Sequence, residues 1–302
     1  MSWSFEIIDG PYGGTTEGPA WDGTGLLFSH IPKSRIMRYD PKTGAASEFR
    51  TETNHSNGLM LDHRGILYAC EGGARRVVRY DRDGTTTVLA DRFTEKRLNI
   101  PNDLAIDLEG RVWFTDPFYE GSGGDWSKDR SQMDLRHESV YRLDPEPNGA
   151  CSITRVTFDT TRPNGILFSL DHKTLYIAQS GRCPSEERQL RAYPVNPAGN
   201  LGKHSVLHDF GKHRGIDGMC LDIEGNIIAT AGWELGGPGP SIYIFSPKGE
   251  ILERHPVPVQ RPTNCTFGDA ELHTLYVTSL EGHLLRTYTD LQGRLHYPPL
   301  NR

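Results

Sequence analysis

Six residues with a side-chain oxygen stand at the same point of six similar stretches: Glu17, Asn57, Asn102, Asn164, Asp217 and Asn264. Carboxylate and amide oxygens are hard donors, and a ring of them suits one divalent ion such as Ca2+ or Mg2+ rather than a soft-ligand metal. Two acids among the six would leave one such ion near neutrality. Which of the six touch the ion is not set by spacing. A divalent ion polarises a carbonyl and makes a nearby water more acidic, so metal-assisted hydrolysis is chemistry this set could carry. No Gly-x-Ser-x-Gly elbow occurs, so no serine nucleophile is indicated.

The elements that carry these residues form a degenerate repeat. Glu17-Gly18-Pro19-Ala20-Trp21-Asp22 is followed by Leu26-Leu27-Phe28-Ser29 and Arg35-Ile36-Met37-Arg38-Tyr39-Asp40. The order returns as Asn57-Gly58-Leu59-Met60-Leu61-Asp62, Ile66-Leu67-Tyr68-Ala69 and Arg76-Val77-Val78-Arg79-Tyr80-Asp81, and again from residues 102, 164, 217 and 264. Each unit alternates apolar and polar residues between turn clusters such as Asp107-Leu108-Glu109-Gly110. Four short strands per unit, six times over, predict an all-β, six-bladed β-propeller occupying residues 1–302 as a single domain. Ser4-Phe5-Glu6-Ile7-Ile8 alternates as well and is expected to close the ring by pairing with the last blade. An array of β-sandwich domains would not explain why a polar residue opens every unit.

Composition narrows the partners. The 33 Gly and 20 Pro suit many tight turns, and the net charge of −6 is spread without basic runs, so nucleic acid is not indicated. Five separated cysteines with no Cys-x-x-Cys pair argue against a thiolate zinc site or a disulfide framework. The residues Met1 to Glu6 lack the basic and apolar regions of a secretory signal, and no window is long and apolar enough to span a bilayer. The expectation is a cytoplasmic protein, monomeric or a small homo-oligomer, acting on a small molecule.

In a propeller the loops between second and third strands share a face with the start of the first strand. The long ones here run from Pro117 through Trp126 to His137, from Ser180 to Arg188, and from Trp233 to Pro240. They are expected to supply pocket residues, namely Tyr119, Glu120, Trp126, His137, Arg182 and Trp233. Asp116, before Pro117, is either a supporting partner of a metal ligand or a strand-ending turn residue.

Several motifs resemble the gluconolactonase branch of the regucalcin/gluconolactonase (SMP-30-like) family. They are Ala90 to Leu104 with its Pro101-Asn102-Asp103, Arg111 to Pro117 with Phe114-Thr115-Asp116-Pro117, Arg162-Pro163-Asn164-Gly165, Thr263 to Gly268, and the opening Glu17-Gly18-Pro19. The resemblance implies a six-bladed propeller with one catalytic divalent ion, usually Ca2+, with Mg2+, Mn2+, Zn2+ or Fe2+ as alternatives, that hydrolyses sugar lactones. It puts the metal-binding residues at Glu17, Asn164 and Asp217, and makes Asn102 a further metal or substrate contact. Asp217 is the candidate general base and Asp103 the second, the other role of Asp103 being support for the Asn102 loop. Ile100 stands where animal members carry a substrate-binding Arg, Asp269 replaces a usual Gly, and Gln179 replaces a common Asp. A phosphotriesterase-like hydrolase on the same metal site and a non-enzymatic calcium-binding propeller are the alternative readings.

Overall fold

The computed structural model describes residues 2–297. Six antiparallel sheets stand around one axis, each meandering outward from an inner strand. The inner strands are Thr16–Trp21, Ser56–Leu61, Leu104–Ile106, Pro163–Phe168, Ile216–Asp222 and Pro262–Gly268. Each packs against its neighbours in the next and previous blades. The expected all-β propeller is therefore the fold. The N-terminal strand Glu6–Asp9 pairs antiparallel with Leu284–Tyr288, the third strand of blade six, and completes that blade as its outermost strand. Among the described residues no helix is long and apolar enough to cross a membrane.

Apolar side chains from facing sheets fill the spaces between blades. Trp21 and Phe28 meet Phe267 and Tyr276 between blades one and six, and Trp113 meets Phe168 edge-on between blades three and four. Turns between first and second strands repeat one device, in which an aspartate accepts backbone N–H groups of its own loop. Asp62 Oδ1 accepts from Arg64 and Ile66, Asp107 Oδ1 from Glu109 and Arg111, and Asp222 Oδ1 from Glu224 and Asn226. These side chains satisfy the loop donors that the sheet leaves free.

Five of the six inner strands lose register with their second strands at the point where the opening residue sits. The breaks fall between Glu17 and Ala20, Ser56 and Leu59, Pro163 and Ile166, Ile216 and Met219, and Pro262 and Cys265. A bulge frees a residue from the ladder and re-aims its side chain, here toward the axis. The glycine after the opening residue has a second task. A Cβ on Gly18, where φ is +55°, would lie 2.3 Å from the Asn57 carbonyl of the next blade, and one on Gly165 would lie 2.4 Å from the Asp217 carbonyl. Adjacent strands approach too closely at the axis for any side chain there.

The face opposite the opening residues is crossed by the C-terminal segment. Gly293–Arg294 pairs with Leu221 and Asp222 of blade five, and Tyr297 packs against the cluster containing Ala20, Leu59 and Leu61. A cavity of about 190 Å³ lies beneath it, lined by Trp21, Leu61, Ile166, Phe168, Met219 and Leu221 among others.

Gly165→Ala forces the Asp217 backbone to move, so it is expected to lower stability by about 1–3 kcal/mol. Thermal denaturation reads this as a fall in Tm, and an unchanged Tm would show that the blades have slack at the axis.

Candidate active site

At the mouth of the channel the structure gathers Glu17, Asn57, Asn102, Asn164 and Asp217 on the floor of a cavity of about 820 Å³. The floor residues other than Asp217 are buried, and Asp217 keeps partial exposure. Glu17 Oε2 accepts from Gly18 N at 2.6 Å and from Asn264 Nδ2 at 3.0 Å. Asn164 Nδ2 donates to Asp217 Oδ1 at 2.6 Å, and Arg214 Nη2 donates to Asp217 Oδ2. Asn57 Oδ1 is buried without a hydrogen-bond partner among the described residues.

The sixth opening residue behaves differently. Asn264 sits below the floor and lines the lower cavity, where its Nδ2 also reaches Asp103 Oδ2 at 3.5 Å. Asp103 lines that lower cavity too, and its Oδ1 accepts from Leu104 N at 2.9 Å. Asn102 and Asp103 precede their strand, yet Asn102 N donates to Thr115 O and Thr115 N to Asp103 O, which continues the ladder to both.

Glu17 and Asp217 share the upper cavity, and Asp103 lies beneath them within reach of their charge. Burial raises Glu17 well above the usual carboxylate range, and the charges of Asp217 and Asp103 raise it further. Burial pushes Asp103 up to about 7, with Asp217 adding to the shift. Asp217 is raised by burial as well, while Arg214, Arg182 and the Asn164 amide pull it back. A bound cation would reverse these shifts, because it favours the ionised forms. The donors fit such an ion. Two carboxylates and two amides converge, one nearby amide oxygen is unused, and a half-turn of the Asn164 amide would present its oxygen in place of its nitrogen. Among the described residues no three of His, Cys, Asp and Glu lie close enough to hold a metal by themselves, so the amide oxygens are needed.

The loops supply most of the expected wall. Tyr119, Glu120, Arg182 and Trp233 line the cavity. Tyr119 Oη is 3.4 Å from Asn164 Nδ2 and donates to Arg162 O at 3.1 Å. Glu120 is clamped by both Nη atoms of the buried Arg162, at 3.0 and 3.1 Å, which lowers its pKa against the opposing effect of burial. Arg162 also holds Glu186 and the Phe118 carbonyl, tying the loops of blades three and four together.

Two expectations need correction. His137 does not line the cavity. It lies behind blade three against Phe93 and Tyr141, with Nδ1 3.2 Å from Ser139 Oγ. The next residue, Glu138, accepts from Phe118 N and Arg130, while His137 packs on the aromatic rings. Trp126 also misses the cavity, because it packs on Phe118, lies under Arg75 and donates Nε1 to Gly73 O. In blade five the stretch after Trp233 is a hairpin extension, with Trp233 paired to Gly236.

Residues that the sequence reading passed over line the mouth as well, including His55, Lys212, Arg214 and Arg261. They belong to the connections from the outer strand of one blade to the inner strand of the next, which share this face. Arg214 three residues before Asp217 was the available signal.

Asp116 proves to be a buried support. Its Oδ2 accepts from Asn99 N, its carbonyl from Asn99 Nδ2, and its Oδ1 has no partner among the described residues. Burial pushes its pKa up to about 8. Between about 4 and 8 the folded state therefore holds a proton that the unfolded state has released, and this group's contribution to stability declines as pH rises through that window. Asp116→Asn is expected to flatten the decline, gaining on the order of 1–3 kcal/mol relative to wild type between about pH 4 and pH 8.5. Urea denaturation at the two pH values measures it, and parallel curves would refute the assignment.

Comparison with known proteins follows the same lines. A family profile described as SMP-30/Gluconolactonase/LRE-like region matches residues 15–281. The gluconolactonase of Zymomonas mobilis is 30% identical over 92% of this chain and 79% of its own. The pentonolactonase of Haloferax volcanii is 28% identical over 88% of this chain and 81% of its own. Among solved structures, a gluconolactonase from Xanthomonas campestris superposes with a TM-score of 0.81 and 28% identity, covering 96% of this chain and 89% of that one. The calcium-binding protein regucalcin from Agrobacterium tumefaciens, at 20% identity, a TM-score of 0.76 and coverage of 99% and 98%, shares the fold.

Proposed function

This chain belongs to the SMP-30/gluconolactonase/LRE-like family, and we propose that it is a metal-dependent lactonase that opens a small sugar lactone at the channel mouth. The observation that carries the proposal is the pair of enclosed, mutually repelling carboxylates, Glu17 and Asp217, set among amide oxygens on the floor of an open cavity. The gluconolactonase and pentonolactonase relatives support lactones as the substrate class.

Glu17, Asn164 and Asp217, with Asn102 beside them, are the residues that would hold a divalent ion, for which Ca2+ is the first candidate. Such an ion, when bound, supplies polarisation of a carbonyl and acidification of water. The reaction adds water to the lactone carbonyl carbon, breaks the ring C–O bond and leaves a hydroxy acid. We assign Asp217 as the base that accepts the water proton and returns it to the departing ring oxygen. Its Oδ2 is fixed by Arg214, which orients the carboxylate and favours its ionised form. Asp103 lines the lower cavity and is better suited to hold the floor through Asn264. Tyr119 and Trp233 offer ring faces for a sugar, and Asn102 and the clamped Glu120 offer polar contacts.

Protein stripped with a chelator is expected to lose hydrolysis of an aldonolactone panel. It should regain hydrolysis on addition of at least one of Ca2+, Mg2+, Mn2+, Zn2+ and Fe2+, with Tm rising in parallel. Asp217→Asn should reduce kcat by roughly 100-fold or more. If no ion restored any lactone hydrolysis, the proposal would be lost.

A further inference from the structure

The cavity above the floor has one cationic wall. Arg182, Arg188, Lys212, Arg214 and Arg261 all line it, in a chain whose net charge is −6. They come from blade four, the connection between blades four and five, and the connection between blades five and six. The acids that line the same cavity are Glu17 and Asp217 on the floor and Glu120 beside Arg182, already clamped by Arg162.

Most of this positive charge lacks an acidic partner. Arg188 donates only to the backbone carbonyls of Cys183, Glu186 and Gly211. Arg261 lies over Trp233 at 4.8 Å, with its Nε buried and without a hydrogen-bond partner. Arg182 stacks over Tyr119 at 4.4 Å and stays 3.9 Å from Glu120, and Lys212 is exposed. Among the described residues none of Arg188, Lys212 and Arg261 pairs with a carboxylate. Arg214 pairs with Asp217, and Arg182 is held more loosely by Glu120.

Like charges crowded on one wall repel, and an anionic ligand removes that repulsion. Arginine forks over aromatic rings suit a planar carboxylate or a phosphate. We propose that the wall recognises an anionic group, phosphate or carboxylate, borne by the substrate, so that the preferred substrate is an anionic sugar lactone. This rests on the lactonase reading above. The lactone ring lies on the floor, and its charged exocyclic substituent points to blades four to six.

The test uses metal-loaded protein and three lactones: glucono-δ-lactone, the same lactone phosphorylated on its exocyclic carbon, and a lactone of glucaric acid. At least one anionic lactone is expected to exceed the neutral one in kcat/KM by about tenfold at low salt, with the ratio falling as ionic strength rises. The two anionic substrates separate phosphate from carboxylate recognition. A Lys212→Gln/Arg261→Gln double variant should lower the ratio severalfold. A ratio near one or below overturns this inference and leaves the lactonase reading intact. If no lactone is hydrolysed, the lactonase reading falls, and calorimetry decides on the wall alone. Tighter binding of glucose phosphorylated at its exocyclic carbon, or of glucuronic acid, than of glucose by about tenfold supports the wall, and equal binding overturns it.

Discussion

Glu17, Asp103 and Asp217 sit within reach of one another's charge at the centre of a closed ring, and the rest of the molecule is arranged to tolerate that. Burial and mutual repulsion favour their neutral forms. What holds them together is a shell of donors: Gly18 N and the Asn264 amide on Glu17, Leu104 N on Asp103, and Arg214 with the Asn164 amide on Asp217. Each donor is itself fixed by an inner strand or by the connection leading into one. The charge cluster therefore depends on backbone positions in five blades, and a disturbance to any of them reaches the carboxylates.

Hydroxyl groups transmit that order from blade to blade. Ser29 Oγ donates to Asn57 O, Thr230 Oγ1 to Thr263 O, Thr263 Oγ1 to Thr16 O, and Ser180 Oγ to Ile216 O. In each case a side chain of one blade satisfies a carbonyl at the head of the next blade's inner strand, where the bulge has interrupted the ladder. Buried carbonyls left by a bulge would otherwise be costly. The same bonds set the spacing at which Gly18 and Gly165 become necessary.

Much of this was legible in the sequence, for a definite reason. The opening residues repeat in phase with the strands, so Glu17, Asn57, Asn102, Asn164 and Asp217 could be aligned and their convergence deduced. The displacement of Asn264 below the floor could not, because it depends on which neighbour its amide bonds. Loop residues carry no repeat phase. His137 and Trp126 are expected at the mouth from loop position alone, but packing on Phe93 and Tyr141, and on Phe118, sends them elsewhere. Lys212 and Arg261 were invisible for the converse reason, since short connections look unremarkable until the ring brings them to one side.

Ring closure ties this centre to the two ends of the chain. Glu6 and Ile7 register with Arg286 and Leu285, and Thr16 Oγ1 reaches the carbonyls of Ser279 and His283. During synthesis the first strand must therefore wait for the sixth blade to leave the ribosome before it finds its place. Glu17 likewise has no Asn264 partner until then. No shorter run of blades contains the finished charge cluster, which is completed only with the final seam.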